Sequence, residues 1–186
     1  MTHLNLRSLV ERLNPLCRKA LENAAALCHT NTHYEVEIEH YLIKLLENDH
    51  GDIAAILKYF EIEKDRVQSQ LTGTLSRFKT GNGRTPALSP RLPKLLAKTW
   101  LNASIDFGCD QIRSGHLLLT LLTKPYFSAT VLTSAAALER VKVSVLEENL
   151  AEITANSDEQ KHSRKSVSPD SAAARGAAAP LARGTA

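Results

Sequence analysis

The chain has no long apolar run, no paired cysteines, no phosphate-binding loop and no acidic residue between Asp65 and Asp106. The longest largely apolar stretch, Leu117 to Leu122, is interrupted by Thr120. It falls far short of the roughly 18 residues that a membrane-spanning helix needs, so no part of the chain is expected to cross a bilayer. The opening MTHLNLRSLVERL lacks the cationic segment, apolar segment and small-residue cleavage site of a secretory leader, which predicts a cytoplasmic protein. Cys17, Cys28 and Cys109 are odd in number and form no CxxC pair. They predict reduced thiols that pack as small hydrophobes, rather than a disulfide framework. The stretch KTGNGRTPALSP from Lys79 to Pro90 has glycines but not the GxxxxGK[ST] spacing after a strand, so it cannot cradle a triphosphate.

What is present suits one globular domain with a tail. The 186 residues are 43% apolar, and a domain usually takes about 100 to 200 residues. Of 23 basic and 20 acidic side chains, only five and three lie beyond Ala155, so the globular part is nearly neutral. That weakens a general nucleic-acid reading, which requires a clearly basic domain. The acid-free stretch does carry Arg77, Lys79, Arg84, Arg91, Lys94 and Lys98. It reads either as a solvated, flexible connector or as a basic rim that attracts an acidic partner segment.

The chain contains an internal duplication. Residues 35–46, EVEIEHYLIKLL, and residues 111–122, QIRSGHLLLTLL, align without a gap at an offset of 76. His40, Leu42, Leu45 and Leu46 then fall on His116, Leu118, Leu121 and Leu122. Further out, Ile56 meets Leu132, Ile62 meets Leu138 and Val67 meets Val143. An open solenoid generally stacks at least about three units of roughly 20 to 50 residues. Two copies of this length predict instead two half-cores folded on each other, with the two leucine triplets equally buried.

Apolar residues recur at three and four throughout, so the fold is expected to be all-α, a pseudo-symmetric pair of multi-helix bundles with an extra N-terminal helix. Leu4, Leu6, Leu9, Val10 and Leu13 share a face of that first helix, which should stop at Asn14-Pro15. Asn14 caps the next helix, with Pro15 in its first turn. This helix, running to about Cys28, has a small-residue face that includes Ala20, Ala24, Ala25 and Ala26. Its counterpart, from about Leu92 to Phe107 with Gly108 as a stop, carries Trp100 in the place of Ala24. Each repeat continues through a short HxLxxLL helix, a second short helix (Asp52 to Tyr59; Tyr126 to Thr133) and a closing helix (Glu63 to Phe78; Glu139 to Ile153). Asp52 and Ser114 are candidate N-caps. From Asn156 onward, Ser, Ala, Arg, Gly and Pro predominate, which predicts a flexible linker over 156–186 after a domain at 1–155.

Histidines are the residues that suggest chemistry. The CHTNTH segment, residues 28–33, offers Cys28, His29 and His33 as metal ligands, but no second cluster completes a site. His40 and His116 sit at the heads of equivalent buried stripes, and neither has a nominated Ser, Cys or carboxylate partner. They read as structural histidines bonding the nearby backbone.

Four segments, SLVERLNPLCRKALENAA (8–25), THYEVEIEHYLIKLLE (32–47), RFKTGNGRTPALSP (77–90) and IRSGHLLLTLL (112–122), give the chain a recognisable likeness. It resembles the N-terminal domain of Clp-type AAA+ unfoldases, in particular the ClpV (TssH) ATPases of bacterial type VI secretion. The duplicated HLLxxLL unit is the general Clp pattern; the connector and the added first helix are the ClpV-like features. The resemblance covers about residues 4 to 155 and ends before any nucleotide-binding module. It implies a substrate-recognition domain that captures an N-terminal helix of the large sheath subunit (TssC, or VipB), so that contracted sheaths can be disassembled by the hexameric rings. It implies no catalytic, metal or cofactor residue in this chain, ATP and magnesium belonging to the AAA+ module. It implies no nucleic-acid or membrane partner, and a monomeric isolated domain from a homohexameric parent. The implied groove places Leu13, Leu16, Cys17, Ala20 and Ala24 on one wall. Pro86, Ala87 and Leu88, backed by Leu92, Leu95 and Leu96, form the other, for a helix bound through i, i+3, i+4, i+7 anchors. A free-standing peptide-binding adaptor and a small helical nucleic-acid binder are the competing readings. Salt separates the latter, because phosphate-driven binding falls steeply with ionic strength.

Overall fold

The computed structural model describes residues 5–165. Helix α1 (Leu6–Arg12) is followed by α2 (Pro15–Thr30), strand β1 (Glu35–Val36), α3 (Ile38–Leu46), α4 (Asp52–Tyr59) and α5 (Lys64–Leu75). Strand β2 (Ala87–Leu88) opens the second repeat. It continues with α6 (Arg91–Leu101), a π-helical extension (Asn102–Asp106), α7 (Ser114–Thr123), α8 (Pro125–Ser134), a 3-10 turn (Ala136–Arg140) and α9 (Val143–Ile153). A last helix, α10, spans Asp158–Lys165. The domain is all-α as the periodicity predicts, apart from two strands of two residues each. Two paired residues are too few to mark a strand, and the alternation around β1 runs straight into the helical spacing of α3, which is why the sequence pattern does not reveal them.

Local chemistry explains the starts and stops. Asn14 caps α2 by accepting from the Cys17 amide at 2.8 Å, with Pro15 at the first helical position. Gly108, at φ +60, takes the left-handed conformation that ends the α6 extension without a Cβ clash. Asp52 and Ser114 are first helical residues, the caps being Gly51 and Arg113. Their side chains work elsewhere: Asp52 is buried against Arg113, and Ser114 donates to Glu159.

The two repeats interlock reciprocally. The segment before α2 pairs with the segment before α7: Leu13 bridges Ile112 in parallel, Asn14 N–H donates to Ile112 C=O at 3.0 Å, and Ile112 N–H donates to Arg12 C=O at 2.7 Å. The segment before α6 pairs with the segment before α3. Here Val36 faces Leu88 in parallel, and Ser89 N–H donates to Val36 C=O at 3.0 Å. Each repeat's lead-in is therefore stitched to the inner segment of the other. Leu42, Leu45 and Leu46 are as buried as Leu118, Leu121 and Leu122, as duplication requires. Both triplets belong to one continuous core.

The small face of α2 lies inside this core. Leu13, Cys17 and Ala24 have no exposed surface and Ala20 has almost none. Small side chains here let α3 approach α2 closely enough for the Tyr41 hydroxyl to donate to the Cys17 carbonyl at 2.9 Å. The shortness that suggests room for a partner serves helix–helix packing instead.

The boundary at Ala155 is also corrected. Ser157 and Glu159 are buried, and the Asp158 amide donates to the His50 carbonyl at 2.8 Å, so the packed domain runs through α10. Polar side chains anchor this segment, and hydrophobicity patterning does not detect them. The remainder of the expected linker, 166–186, lies outside the described residues.

His40 and His116 act as cap acceptors in the two repeats. Glu37 N–H donates to His40 Nδ1 at 2.9 Å, and Arg113 N–H donates to His116 Nδ1 at 3.3 Å. Burial, with the neighbouring His33, holds His40 down to about 4. Burial and the Arg113 charge do the same for His116, also about 4. An unfolded chain takes up these protons near pH 6.5 and the folded chain only near pH 4, so stability is expected to fall as pH drops through that window. The loss should be about 3 kcal/mol per histidine by pH 4. Urea midpoints at pH 7.5, 6, 5 and 4 measure it; a flat profile would contradict the neutral, capping role. For α2, Ala24→Arg should lower stability by roughly 3 kcal/mol or more, because it buries an unpaired charge. Ala26→Arg, on the exposed face, should stay within about 0.5 kcal/mol. Thermal melts of the two variants make the comparison.

Candidate functional site

Solvent access divides the expected groove. Leu13, Cys17, Ala20, Ala24, Leu92, Leu95 and Leu96 are core residues and cannot line a surface in this conformation. Leu16, Pro86 and Leu88 keep partial exposure and Ala87 is exposed. The reason is geometric. On α2 and α6, the residues spaced for one face are those on which α3, α7 and the reciprocal bridges pack. A groove position and a core position carry the same apolar signature in sequence.

The connector that bears Pro86, Ala87 and Leu88 is pinned rather than loose. Gly81, at φ +98, turns the chain so that its amide donates to Thr32 Oγ1 at 3.0 Å. Asn82 donates from its backbone amide to the Thr32 carbonyl at 2.9 Å and from Nδ2 to the His33 carbonyl at 3.0 Å. Ala87 N–H then donates to the Tyr34 carbonyl at 3.1 Å. These bonds hold the connector along residues 32–36 and hold its apolar side chains at a fixed edge. The connector is thus ordered between Gly81 and Ala87, in contrast to the flexible segment that its composition suggests.

Beside β1 lies an open cleft of about 600 Å³. Glu35, Glu37 and Glu39 line it together with Arg77, Lys79 and Arg91, so the basic rim faces carboxylates of the same chain. Lys79 sits 5.3 Å from the Tyr34 ring centroid, a cation–π distance. Burial pushes the Glu37 carboxyl up, and a hydrogen bond from Ser89 opposes this. Glu37 Oε2 is buried without a hydrogen-bond partner. No catalytic or binding motif marks this trio in the sequence. Its signal is the alternation E-V-E-I-E, which sets Glu35 and Glu37 on the same side of the short extended segment.

Among the described residues, no histidine forms a catalytic arrangement. His40, accepting at Nδ1, carries its proton on Nε2, which lies 2.9 Å from His33 Nδ1. His116 presents Nε2 to Cys109 Sγ at 3.8 Å, which has the outline of a nucleophile and base. Burial pushes the thiol up and holds the imidazole at about 4, so both are neutral and the thiolate that chemistry requires is disfavoured. The CHTNTH segment disperses: Cys28 Sγ lies 3.8 Å from the His33 carbonyl, its thiol pushed up to about 11 by burial, while His29 is exposed. Among the described residues, no group of three or more His, Cys, Asp or Glu side chains is placed to hold a metal ion, and no helix is long and apolar enough to cross a membrane.

Comparison with known proteins places this architecture. The AAA+ ATPase ClpV1 of Pseudomonas aeruginosa is 28% identical over 159 residues, covering 86% of this chain and 18% of ClpV1. The chain spans about a fifth of the length of the curated relatives it matches. Among solved structures, the N-domain of ClpV from Vibrio cholerae has a TM-score of 0.75 and 33% identity, with 84% of this chain and 93% of that one covered. A complex of a ClpV N-domain with a VipB peptide has a TM-score of 0.73 and 32% identity, with coverage of 84% and 95%. The family described as the Clp repeat (R) N-terminal domain matches residues 12–135. With the duplicated helical unit, the reciprocal bridges and this match in agreement, the chain belongs to the Clp repeat N-terminal domain family.

Proposed function

We propose that this chain is the substrate-recognition domain of a type VI secretion AAA+ unfoldase. In that role it binds an N-terminal helix of the large sheath subunit, so that contracted sheaths can be disassembled and recycled. The observation that carries this reading is the likeness, at 32% identity across nearly the whole domain, to a ClpV N-domain solved with a VipB peptide. The pinned connector supports it, because a fixed apolar edge costs a partner little ordering entropy. Leu16 on α2 and Pro86, Ala87 and Leu88 on the connector are the members of the expected groove that remain accessible, and we assign the contact to them. Recognition by such a face uses an amphipathic helix laid with its apolar stripe inward. It needs no cofactor, no metal and no catalytic residue. ATP binding and hydrolysis belong to an AAA+ module in a cytoplasmic, hexameric parent.

A labelled peptide from the N-terminal helix of a large sheath subunit, titrated against the full chain by fluorescence anisotropy, tests this directly. Leu16→Arg and Leu88→Arg should each weaken binding at least about tenfold, in the range of interface anchors. Both side chains are partly exposed, so the melting temperature should move by only a few degrees. Unchanged affinity in both variants would reject this face. Calorimetry with ATP and magnesium at micromolar concentration should give no binding heat; a saturable isotherm would remove the division of labour proposed for the chain and its parent.

A further inference from the structure

We propose that α10 is a releasable latch whose Glu159 carboxylate plugs the joint where the N-terminal ends of α2, α4 and α7 converge, tying the exit of the chain to both repeats at once. Glu159 is 1% exposed and accepts from every side. Oε1 takes Asn14 Nδ2 at 2.8 Å and the Ser114 amide at 2.8 Å; Oε2 takes the Asp52 amide at 2.6 Å and Ser114 Oγ at 2.5 Å. Asn14 caps α2, Asp52 begins α4 and Ser114 begins α7. One carboxylate thus satisfies donors from three helix starts, two in the first repeat and one in the second. The partial positive charge of those starts favours it there.

The rest of the joint holds this plug in register. Arg113 donates from Nε and Nη2 to the two Asp52 oxygens at 2.9 and 2.7 Å, a bidentate geometry. Ser157 Oγ donates to Asp52 Oδ1 at 2.5 Å and receives Arg113 Nη2 at 3.3 Å, and Arg113 Nη1 donates to Gln160 Oε1. Asp52 approaches α7 closely enough that a Cβ on Gly115 would stand 3.0 Å from its Oδ2.

Release without global unfolding follows from how α10 is held. Its sequence, DEQKHSRK, contains no large apolar residue. Its eight residues are fewer than the roughly 12 to 15 that an isolated helix needs. Lys161 and His162 are exposed, whereas Ser157 and Glu159 are buried, so the segment is held by a few polar contacts, those of Ser157, Glu159, Gln160 and the Asp158 amide. Such a segment opens locally, well below the free energy of global unfolding. Withdrawing it removes acceptors from α4 and α7 together, so tension on the chain beyond α10 loosens both repeats at their common joint.

Amide hydrogen exchange on the full chain at low urea tests the latch. With the wild type, the amides of α10, Asp52 and Ser114 should exchange through an opening that leaves residues 42–46 and 118–122 protected. Glu159→Gln should speed exchange at Asp52, Ser114 and α10 by at least about tenfold with those core amides unchanged. His162→Gln, exposed on the same helix, should change nothing. Ser157→Ala, which keeps the carboxylate, should act in the same direction with a smaller factor, and it carries the test should Glu159→Gln fail to fold. Exchange of α10 only together with the core helices, or unaltered exchange at Asp52 and Ser114 in both Glu159→Gln and Ser157→Ala, would overturn the proposal.

Discussion

Folding a duplicated helical unit on itself brings helix N-terminal ends together in the interior, where their unpaired amides carry partial positive charge and water cannot reach them. The closure of the joint between the repeats depends on meeting that demand. Asp52 and Glu159 supply the two carboxylates, and Arg113 offsets part of their charge at a buried ion pair 2.7 Å long. Burying such groups costs several kcal/mol per ion. What offsets the cost is saturation: each carboxylate oxygen in the cluster receives at least two hydrogen bonds. A network so filled specifies one arrangement of the repeats, because a slipped register would leave several charged or polar groups without partners at once.

The two halves are alike in backbone and different in chemistry at matching places. His40 and His116 accept the same kind of amide hydrogen bond, but His33 faces the first and Cys109 the second. Glu37 occupies the position that Arg113 holds in the other half. In the first repeat that position opens onto a cleft with a raised, partly unpartnered carboxyl. In the second it is sealed by Asp52, Ser157 and Gln160. Duplication supplied the frame, and substitution gave one copy the internal joint and left the other an open cleft.

What could be read from the sequence follows from how each feature is encoded. The order of the helices, the offset of 76, the Asn14-Pro15 start and the role of His40 and His116 rest on short-range patterns, and the structure agrees with them; the closing helix of the second repeat begins at Val143 rather than Glu139, a 3-10 turn over Ala136–Arg140 preceding it. Seven of the expected groove residues, Leu13, Cys17, Ala20, Ala24, Leu92, Leu95 and Leu96, are core, because burial by a neighbouring helix and contact with a partner demand the same side chains; Ala20 and Ala24 are small so that α3 can approach. The end of the domain was placed too early for the opposite reason. Ser157 and Glu159 are polar, and a segment anchored by hydrogen bonds over more than a hundred residues of chain leaves no trace in hydrophobic periodicity. Asp52 and Ser114 marked helix starts correctly to within a residue, yet their main partners, Arg113 and Glu159, lie far away in sequence.

Asymmetry also bears on recognition. Trp100 stands on α6 where Ala24 stands on α2, and α1 packs against α6 with the Arg12 guanidinium 4.6 Å from the Trp100 ring centroid. The extra N-terminal helix therefore covers one flank of the second repeat with chain from the first. On α2, the flank bearing Leu21 and Ala25 remains partly exposed, and helix α3 and strand β1 are its main neighbours. Under the proposed function, the partner helix lies along the accessible Leu16, Pro86, Ala87 and Leu88, while α1 occupies a flank of α6, so the chain's own helix and the partner's use different parts of the scaffold.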